Sequence, residues 1–214
     1  MKKWFVIIPT IVILLYFFKK EDVNTKGKYL IDSNIKKDYE KYLASQKDKI
    51  KDTNKLPSIG KIEFYEDNKL AYGTKGFEAL FPIFCTWEKD TLLIGFVAGI
   101  DNYESIGVKI IQNQAFFTHS LEGSFKRFTL HKLGFLSAHL NLPCEEAKII
   151  LSEKPIKNSK KPFYGYIEFT SIEFYESLGN EYYSKDLFPQ INRFKRRTKM
   201  KIYFKAISFQ SKTT

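Results

Sequence analysis

The sequence predicts a mainly β protein whose folded part is an antiparallel β-sandwich or open barrel of the meander or Greek-key type. After Pro57, short alternating or apolar runs recur with turn-forming residues between them, and no long helical periodicity interrupts them. Aromatic residues make up 16% of the chain, and such side chains favour pleated, half-buried surfaces. The predicted strands are Ile59–Glu66, Ile83–Glu88, Leu92–Val97, Gly107–His119, Ser124–His131, Ala147–Lys154, Phe163–Tyr175 and Lys199–Phe209.

Residues 1–20 are predicted to form a signal anchor, a transmembrane helix that is not cleaved. Lys pairs flank the uncharged run Trp4–Phe18, which as a helix would be about 22 Å long, and the bilayer can thin around such a short span. The small residues that a signal peptidase requires do not follow the run, although a removed signal peptide remains the alternative. By the positive-inside rule, the four lysines in the ten residues after the run favour a cytoplasmic domain. A short basic segment before an apolar run is typical of exported proteins, so we expect a single-pass membrane protein with an extracytoplasmic C-terminal domain.

Residues 21–58 are polar and Lys-rich, and they are predicted to form a stalk. Apolar and tyrosine residues at three- to four-residue spacing predict a helix at about 33–52 within it. Residues 59–214 then form a single β-rich globular domain, since their length suits one core.

The chain has two cysteines, Cys85 and Cys144. In an oxidising compartment they could form one disulfide, and as free thiols they would be small apolar core residues. Spacing along the chain does not decide between these alternatives.

The net charge of +11 is concentrated in two parts of the chain. Residues 1–58 carry a basic excess, residues 59–184 are nearly neutral, and residues 185–205 hold eight basic residues and one acidic residue. Three of the four arginines lie in this last part, and arginine grips phosphate or carboxylate through two donors. The candidate anion-binding residues are Arg193, Lys195, Arg196, Arg197, Lys199 and Lys201.

This basic cluster has three interpretations. It could be a Lys-rich edge strand that blocks pairing with another sheet, or a surface that contacts anionic lipid or an anionic envelope polymer. Nucleic acid is disfavoured, because the body of the protein is nearly neutral and the chain is predicted to be membrane-bound. The long connection 177–192 leads into the cluster, and its Tyr182 and Tyr183 are candidate ligand-loop residues.

No sequence motif specifies a reaction, a metal or a cofactor. The three histidines lack metal-ligand spacing, and neither a serine-nucleophile motif nor a phosphate-binding loop occurs. We therefore expect no metal and no cofactor, and we name no catalytic residue. The predicted function is that of a membrane-anchored cell-envelope binding or interaction module, and the sequence favours a non-enzymatic protein. An envelope hydrolase acting on a glycan or lipid is the alternative.

Overall fold

The computed structural model describes residues 24–45, 58–67, 69–73, 83–98, 102–124, 126–178 and 193–210. Within these residues the chain forms one helix and fourteen strands. The helix is α1 (Ile35–Ser45). The strands are β1 (Thr25–Ile31), β2 (Ser58–Glu66), β3 (Lys69–Gly73), β4 (Ile83–Glu88), β5 (Thr91–Ala98), β6 (Asn102–Ile111), β7 (Gln114–Gly123), β8 (Lys126–Thr129), β9 (His139–Leu142), β10 (Cys144–Leu151), β11 (Phe163–Ser171), β12 (Phe174–Leu178), β13 (Phe194–Ala206) and β14 (Phe209–Gln210).

The described strands belong to one sheet that curls into an open half-barrel. The strand order is β14-β4-β5-β6-β7-β1-β10-β11-β13-β12-β8, with β9 added to β7, β2 to β13 and β3 to β2. Pairing is antiparallel except between β1 and β10 and between β14 and β4. Because the sheet curls, β4 near one edge contacts β13, and β8 at the other edge contacts β7. The prediction of a mainly β fold is confirmed.

Strand β1 lies in the middle of the sheet, although the sequence analysis assigned its residues to the stalk. Its first half pairs with β7 and its second half, Lys28–Ile31, pairs with β10. Gly27 packs closely against β7, since a Cβ atom added at this residue would be 2.3 Å from the Phe117 ring. Strand β1 therefore joins the two halves of the sheet. The sequence analysis did not predict it, because the segment is short and Lys-rich.

Helix α1 packs on the outer face of the sheet. Asp32 accepts a hydrogen bond from the backbone N–H of Asn34 just before the helix. Tyr39 contacts Tyr164 of β11 with 5.3 Å between ring centroids, and Tyr42 contacts Tyr203 of β13 at 5.0 Å. The predicted helix at 33–52 is observed over Ile35–Ser45.

The predicted anchor, Trp4–Phe18, lies outside the described residues, as does the predicted helical segment beyond residue 45. Among the residues that are described, no helix combines the length and apolar character needed to cross a bilayer.

Two clusters of buried apolar side chains fill the inner face of the half-barrel. The larger one includes Phe96, Phe117, Phe169 and Phe204. The smaller one consists of Leu121, Phe128, Leu142 and Phe174. Alternation along the strands explains this arrangement, since in β11 every second residue from Phe163 to Ser171 is buried.

Strand β13 is an interior strand, so the edge-strand interpretation of the basic cluster is wrong. It pairs with β11 and β12 on one side and with β2 on the other. Its backbone groups are therefore bonded to neighbours on both sides, and its cationic side chains do not protect an exposed edge.

Candidate functional site

Strand β13 places the predicted basic cluster on both faces of the sheet. Lys195, Arg197, Lys199 and Lys201 share the outer face, whereas Arg196 shares the inner face with buried Thr198 and Met200. Arg193 immediately precedes the strand. The six candidates are therefore neighbours along one strand but do not form one surface.

Arg193 forms hydrogen bonds to a loop of the same chain. Its Nη1 donates hydrogen bonds to the backbone carbonyls of Lys132 and Gly134, which belong to the connection between β8 and β9. Its position is therefore explained by contacts within the chain.

Lys195 is paired with a carboxylate in the connection between β11 and β12, and Lys201 with one on β11. Lys195 Nζ lies 2.8 Å from Glu173, and this hydrogen bond raises the pKa of Lys195. Lys201 Nζ lies 3.4 Å from Glu168, which also binds Lys148 at 2.7 Å. Burial pushes the pKa of Glu168 upward, but its hydrogen bonds with Lys148 and Tyr166 and the charge of Lys201 bring that pKa below its ordinary value.

Arg196 belongs to an ion-pair cluster on the inner face. Its guanidinium pairs with Glu66 of β2 and lies 3.8 Å from Glu176 of β12. Glu176 is buried and also pairs with Lys126 of β8 at 2.9 Å. These four charges connect four strands and balance one another within the protein.

The remaining two candidates, Arg197 and Lys199, line an outer-face groove of about 350 Å³. Tyr65, Glu145, Glu146 and Thr170 complete its lining. Arg197 pairs with Glu145 at 3.1 Å and also lies 3.8 Å from Glu173, and all three side chains are partly exposed. Within the described residues Lys199 has no carboxylate partner. We call this depression the β13 groove.

The β13 groove offers a ligand two cations and several neutral or acidic partners. Residues two apart on one strand face are about 7 Å apart at their Cα atoms, so Arg197 and Lys199 can both reach one phosphate-sized anion. The Arg197–Glu145 pair is only partly buried, with side-chain exposures of 30% and 42%, so a ligand oxygen can replace this carboxylate at a smaller cost than in a buried pair. The arrangement can bind an anion but has no evident nucleophile.

A second polar group, which the sequence analysis did not identify, lies inside the half-barrel. His119 is fully buried, and its Nε2 lies 3.0 Å from Glu104 Oε2. The other Glu104 oxygen accepts a hydrogen bond of 3.3 Å from Thr198 Oγ1, and the Thr198 N–H donates to Ser171 Oγ at 2.9 Å. His119 Nδ1 is buried without a hydrogen-bond partner in the described residues.

This interior network links β6, β7, β11 and β13. In the neutral tautomer whose Nε2–H donates to Glu104, Nδ1 is an acceptor, and an unpaired acceptor is less costly to bury than an unpaired N–H donor. The sequence does carry a signal that Glu104 faces the interior, because it lies on the same face of β6 as Ile106 and Val108. Parity does not show that His119 and Thr198, far apart in sequence, meet the same carboxylate.

Cys85 and Cys144 are free thiols in the structure and do not form a disulfide. Both belong to the larger apolar cluster, and burial raises the pKa of each thiol from 9.0 to about 12. The structure therefore has them as small core residues.

We expect the native chain to react slowly with a thiol reagent and the denatured, unreduced chain to expose two thiols. The raised pKa alone lowers the thiolate fraction near neutral pH by about 1,000-fold, because the thiolate is the reactive form. Titration of the unreduced full chain with and without denaturant measures both quantities. Recovery of no free thiol after denaturation would show a disulfide.

Tyr182 and Tyr183 lie outside the described residues, so their relation to the β13 groove stays a prediction. In the part of the chain that is described, no group of three or more His, Cys, Asp or Glu side chains is arranged to hold a metal ion. Comparisons with protein-family models, with curated proteins and with solved structures find no match for this chain.

Proposed function

We propose that this chain is a single-pass, membrane-anchored binding module of the cell envelope whose extracytoplasmic β domain holds an anionic lipid headgroup in the β13 groove. The observation that carries the proposal is that Arg197 and Lys199 line one groove and that Lys199 forms no ion pair within the described residues. A phosphate is a suitable ligand, since Arg supplies a fork of donors and Lys a compact charge.

The position of the groove supports a lipid headgroup as the ligand. Thr25 begins β1, and its hydroxyl accepts a hydrogen bond of 2.8 Å from the N–H of Cys144. The next residue, Glu145, lines the groove and pairs with Arg197. The groove is therefore close to the point where the chain from the proposed anchor enters the sheet. An anion at a membrane surface would be within its reach.

The proposal predicts that Lys199→Gln weakens binding of glycerol phosphate, the headgroup fragment of phosphatidylglycerol, by about tenfold. The full chain in phosphatidylcholine nanodiscs is titrated by calorimetry. The matched control is Lys205→Gln, because Lys205 is an exposed lysine on the outer face of the same strand but at its other end. Its affinity should equal that of the unchanged protein.

Absence of saturable binding, or an equal loss in both variants, would contradict the headgroup assignment. Polyphosphate is the second probe in the same titration. If polyphosphate binds through Lys199 and glycerol phosphate does not, the ligand is an anionic envelope polymer and the headgroup assignment is overturned.

A further inference from the structure

The loop between β8 and β9 presents two large apolar side chains to solvent. Leu133 is 95% exposed and Phe135 is 101% exposed, and Leu130 at the base of the same loop is also exposed. Single exposed apolar residues are ordinary, but two fully exposed ones in one short loop indicate an interaction surface. We call residues 130–136 the apolar loop.

The apolar loop is held in place by hydrogen bonds within the chain. Arg193 donates to the carbonyls of Lys132 and Gly134, and the N–H of Gly134 donates to the carbonyl of His131 at 2.8 Å. Gly134 is also confined, since a Cβ atom there would be 2.3 Å from Thr129 Oγ1. These hydrogen bonds fix the backbone around Gly134, while the side chains of Leu133 and Phe135 remain exposed to solvent.

The apolar loop and the N-terminal end of β1 lie at the same end of the sheet. Strand β1 is antiparallel to β7 and parallel to β10, β10 is antiparallel to β11, and β11 is antiparallel to β13. The C-terminal end of β7 and the N-terminal ends of β1 and β13 therefore lie at the same end of the sheet. The loop is attached at this end twice. Gly123, the last residue of β7, donates to the carbonyl of Ala138, and Arg193 immediately precedes β13.

The chain that precedes β1 also leads toward this end. Strand β1 is antiparallel to β7, and Asn24 already lies beside Thr118, whose hydroxyl donates to it at 3.0 Å. Only residues 19–24 separate Phe18, the last residue of the apolar run, from β1, and six residues reach at most about 22 Å. A membrane-anchored domain would therefore turn this end toward the bilayer.

We propose that Leu133 and Phe135 insert into the interface of the bilayer that holds the anchor, and so form a second membrane contact of the domain. This proposal rests on the membrane anchoring in the proposed function, but it does not require the β13 groove to bind a headgroup. Exposed Lys132 and His131 flank the apolar side chains, and cations beside an inserted apolar tip suit an interface with anionic lipids. Two apolar side chains at a headgroup boundary give a weak contact that orients a domain already tethered there.

The test places an environment-sensitive fluorophore on the loop of the full chain. Phe135→Cys is labelled with a nitrobenzoxadiazole maleimide and reconstituted in vesicles of phosphatidylcholine and phosphatidylglycerol. The native cysteines are buried, and the unchanged chain labelled in parallel measures their background. The matched control is Ile156→Cys, an apolar residue that is 70% exposed in the connection between β10 and β11, at the opposite end of the sheet.

We expect the label at position 135 to show a blue-shifted, several-fold brighter emission that is quenched by a nitroxide at the glycerol level of the lipid. The label at position 156 should keep a water-like emission and escape that quenching. A water-like label at position 135 overturns the proposal. A blue-shifted label that lipid nitroxides do not quench also overturns it, because a protein partner or a second copy then covers the loop.

The outcomes separate this proposal from the proposed function. If position 135 is in water while Lys199→Gln still weakens glycerol phosphate binding, only the loop insertion fails. If position 135 is quenched by lipid while glycerol phosphate does not bind, only the headgroup assignment fails. A chain that does not float with vesicles overturns the anchoring and therefore both proposals.

Discussion

Gly165→Ala should lower the free energy of unfolding by about 3 kcal/mol, at the upper end of what an overpacked core residue costs. Gly165 lies opposite Phe204 in the pairing of β11 with β13, and a Cβ atom there would be 2.1 Å from Phe204 Cζ. Phe204 is fully buried, and its ring centroid lies 5.4 Å from that of Phe96 and 6.2 Å from that of Phe163. We expect these neighbouring rings to restrict how far the Phe204 ring can move.

Denaturant unfolding of the full chain in a mild detergent, followed by circular dichroism, measures this loss. Phe204→Leu provides the control, because a smaller side chain makes room for the added methyl group. The double variant Gly165→Ala with Phe204→Leu should be at least about 1 kcal/mol more stable than the sum of the single losses predicts. Additive losses, or an unchanged stability of Gly165→Ala, would show that the ring does not confine this position.

The sequence predicted the β class because alternation and turn residues are local signals. Strand β4 was predicted with its observed bounds, Ile83–Glu88, since the following Lys89-Asp90 turn is a recognisable break. Lys89 has a φ of 50°, which fits such a tight turn. Where turn-forming residues such as these follow a strand, the local sequence is sufficient to predict where the strand ends.

The hairpin of β6 and β7 was missed for the opposite reason. The predicted strand Gly107–His119 runs through its turn, which is formed by Gln112 and Asn113 with φ values of 48° and 64°. Glycine usually occupies at least one position of such a turn, and here neither residue is glycine. Asn113 tolerates this conformation but is a weaker turn signal than glycine, and the ten residue pairs along β6 and β7 stabilise the turn.

The candidate site was predicted only in part, because long-range pairing decides which charges remain available. Sequence reasoning identified Arg197 and Lys199 together with four other cations. It could not show that Glu168 of β11, Glu176 of β12 and Glu173 in the connection between them pair with cations of β13. The register of β13 with β11, β12 and β2 sets these pairs, and register is not readable from one strand's residues.

Glu176→Gln should destabilise the protein by about 3 kcal/mol, because it removes the carboxylate that faces two cations at a buried position. Glu176 lies 2.9 Å from Lys126 Nζ and 3.8 Å from Arg196 Nη2, and its side chain is only 8% exposed. Glutamine keeps the shape of the side chain but not its charge. Glu66, which pairs with Arg196, would then be the one carboxylate left in this four-residue cluster, and Lys126 would lose the carboxylate that it pairs with.

The matched control for this prediction is Glu153→Gln. Glu153 pairs with Lys161 at 2.8 Å, almost the same distance, but both side chains are substantially exposed. Exposed pairs contribute about 0–1 kcal/mol, so this variant should unfold nearly like the unchanged protein. The same denaturant experiment compares the two. An equal, small effect in both variants would mean that water reaches Glu176 as freely as it reaches Glu153.

Removing both charges of the buried pair tests the cause of the loss. In Lys126→Met with Glu176→Leu, the apolar side chains would extend the smaller cluster around Phe128 and Phe174. Replacement of a buried ion pair by apolar residues is often neutral, so we expect the double variant to recover much of the stability that Glu176→Gln loses. Arg196 keeps its pairing with Glu66 in this variant. If the double variant is less stable than Glu176→Gln, the loss of stability in Glu176→Gln is not caused by a cation left unpaired. The cluster would then stabilise the fold through its specific charge contacts.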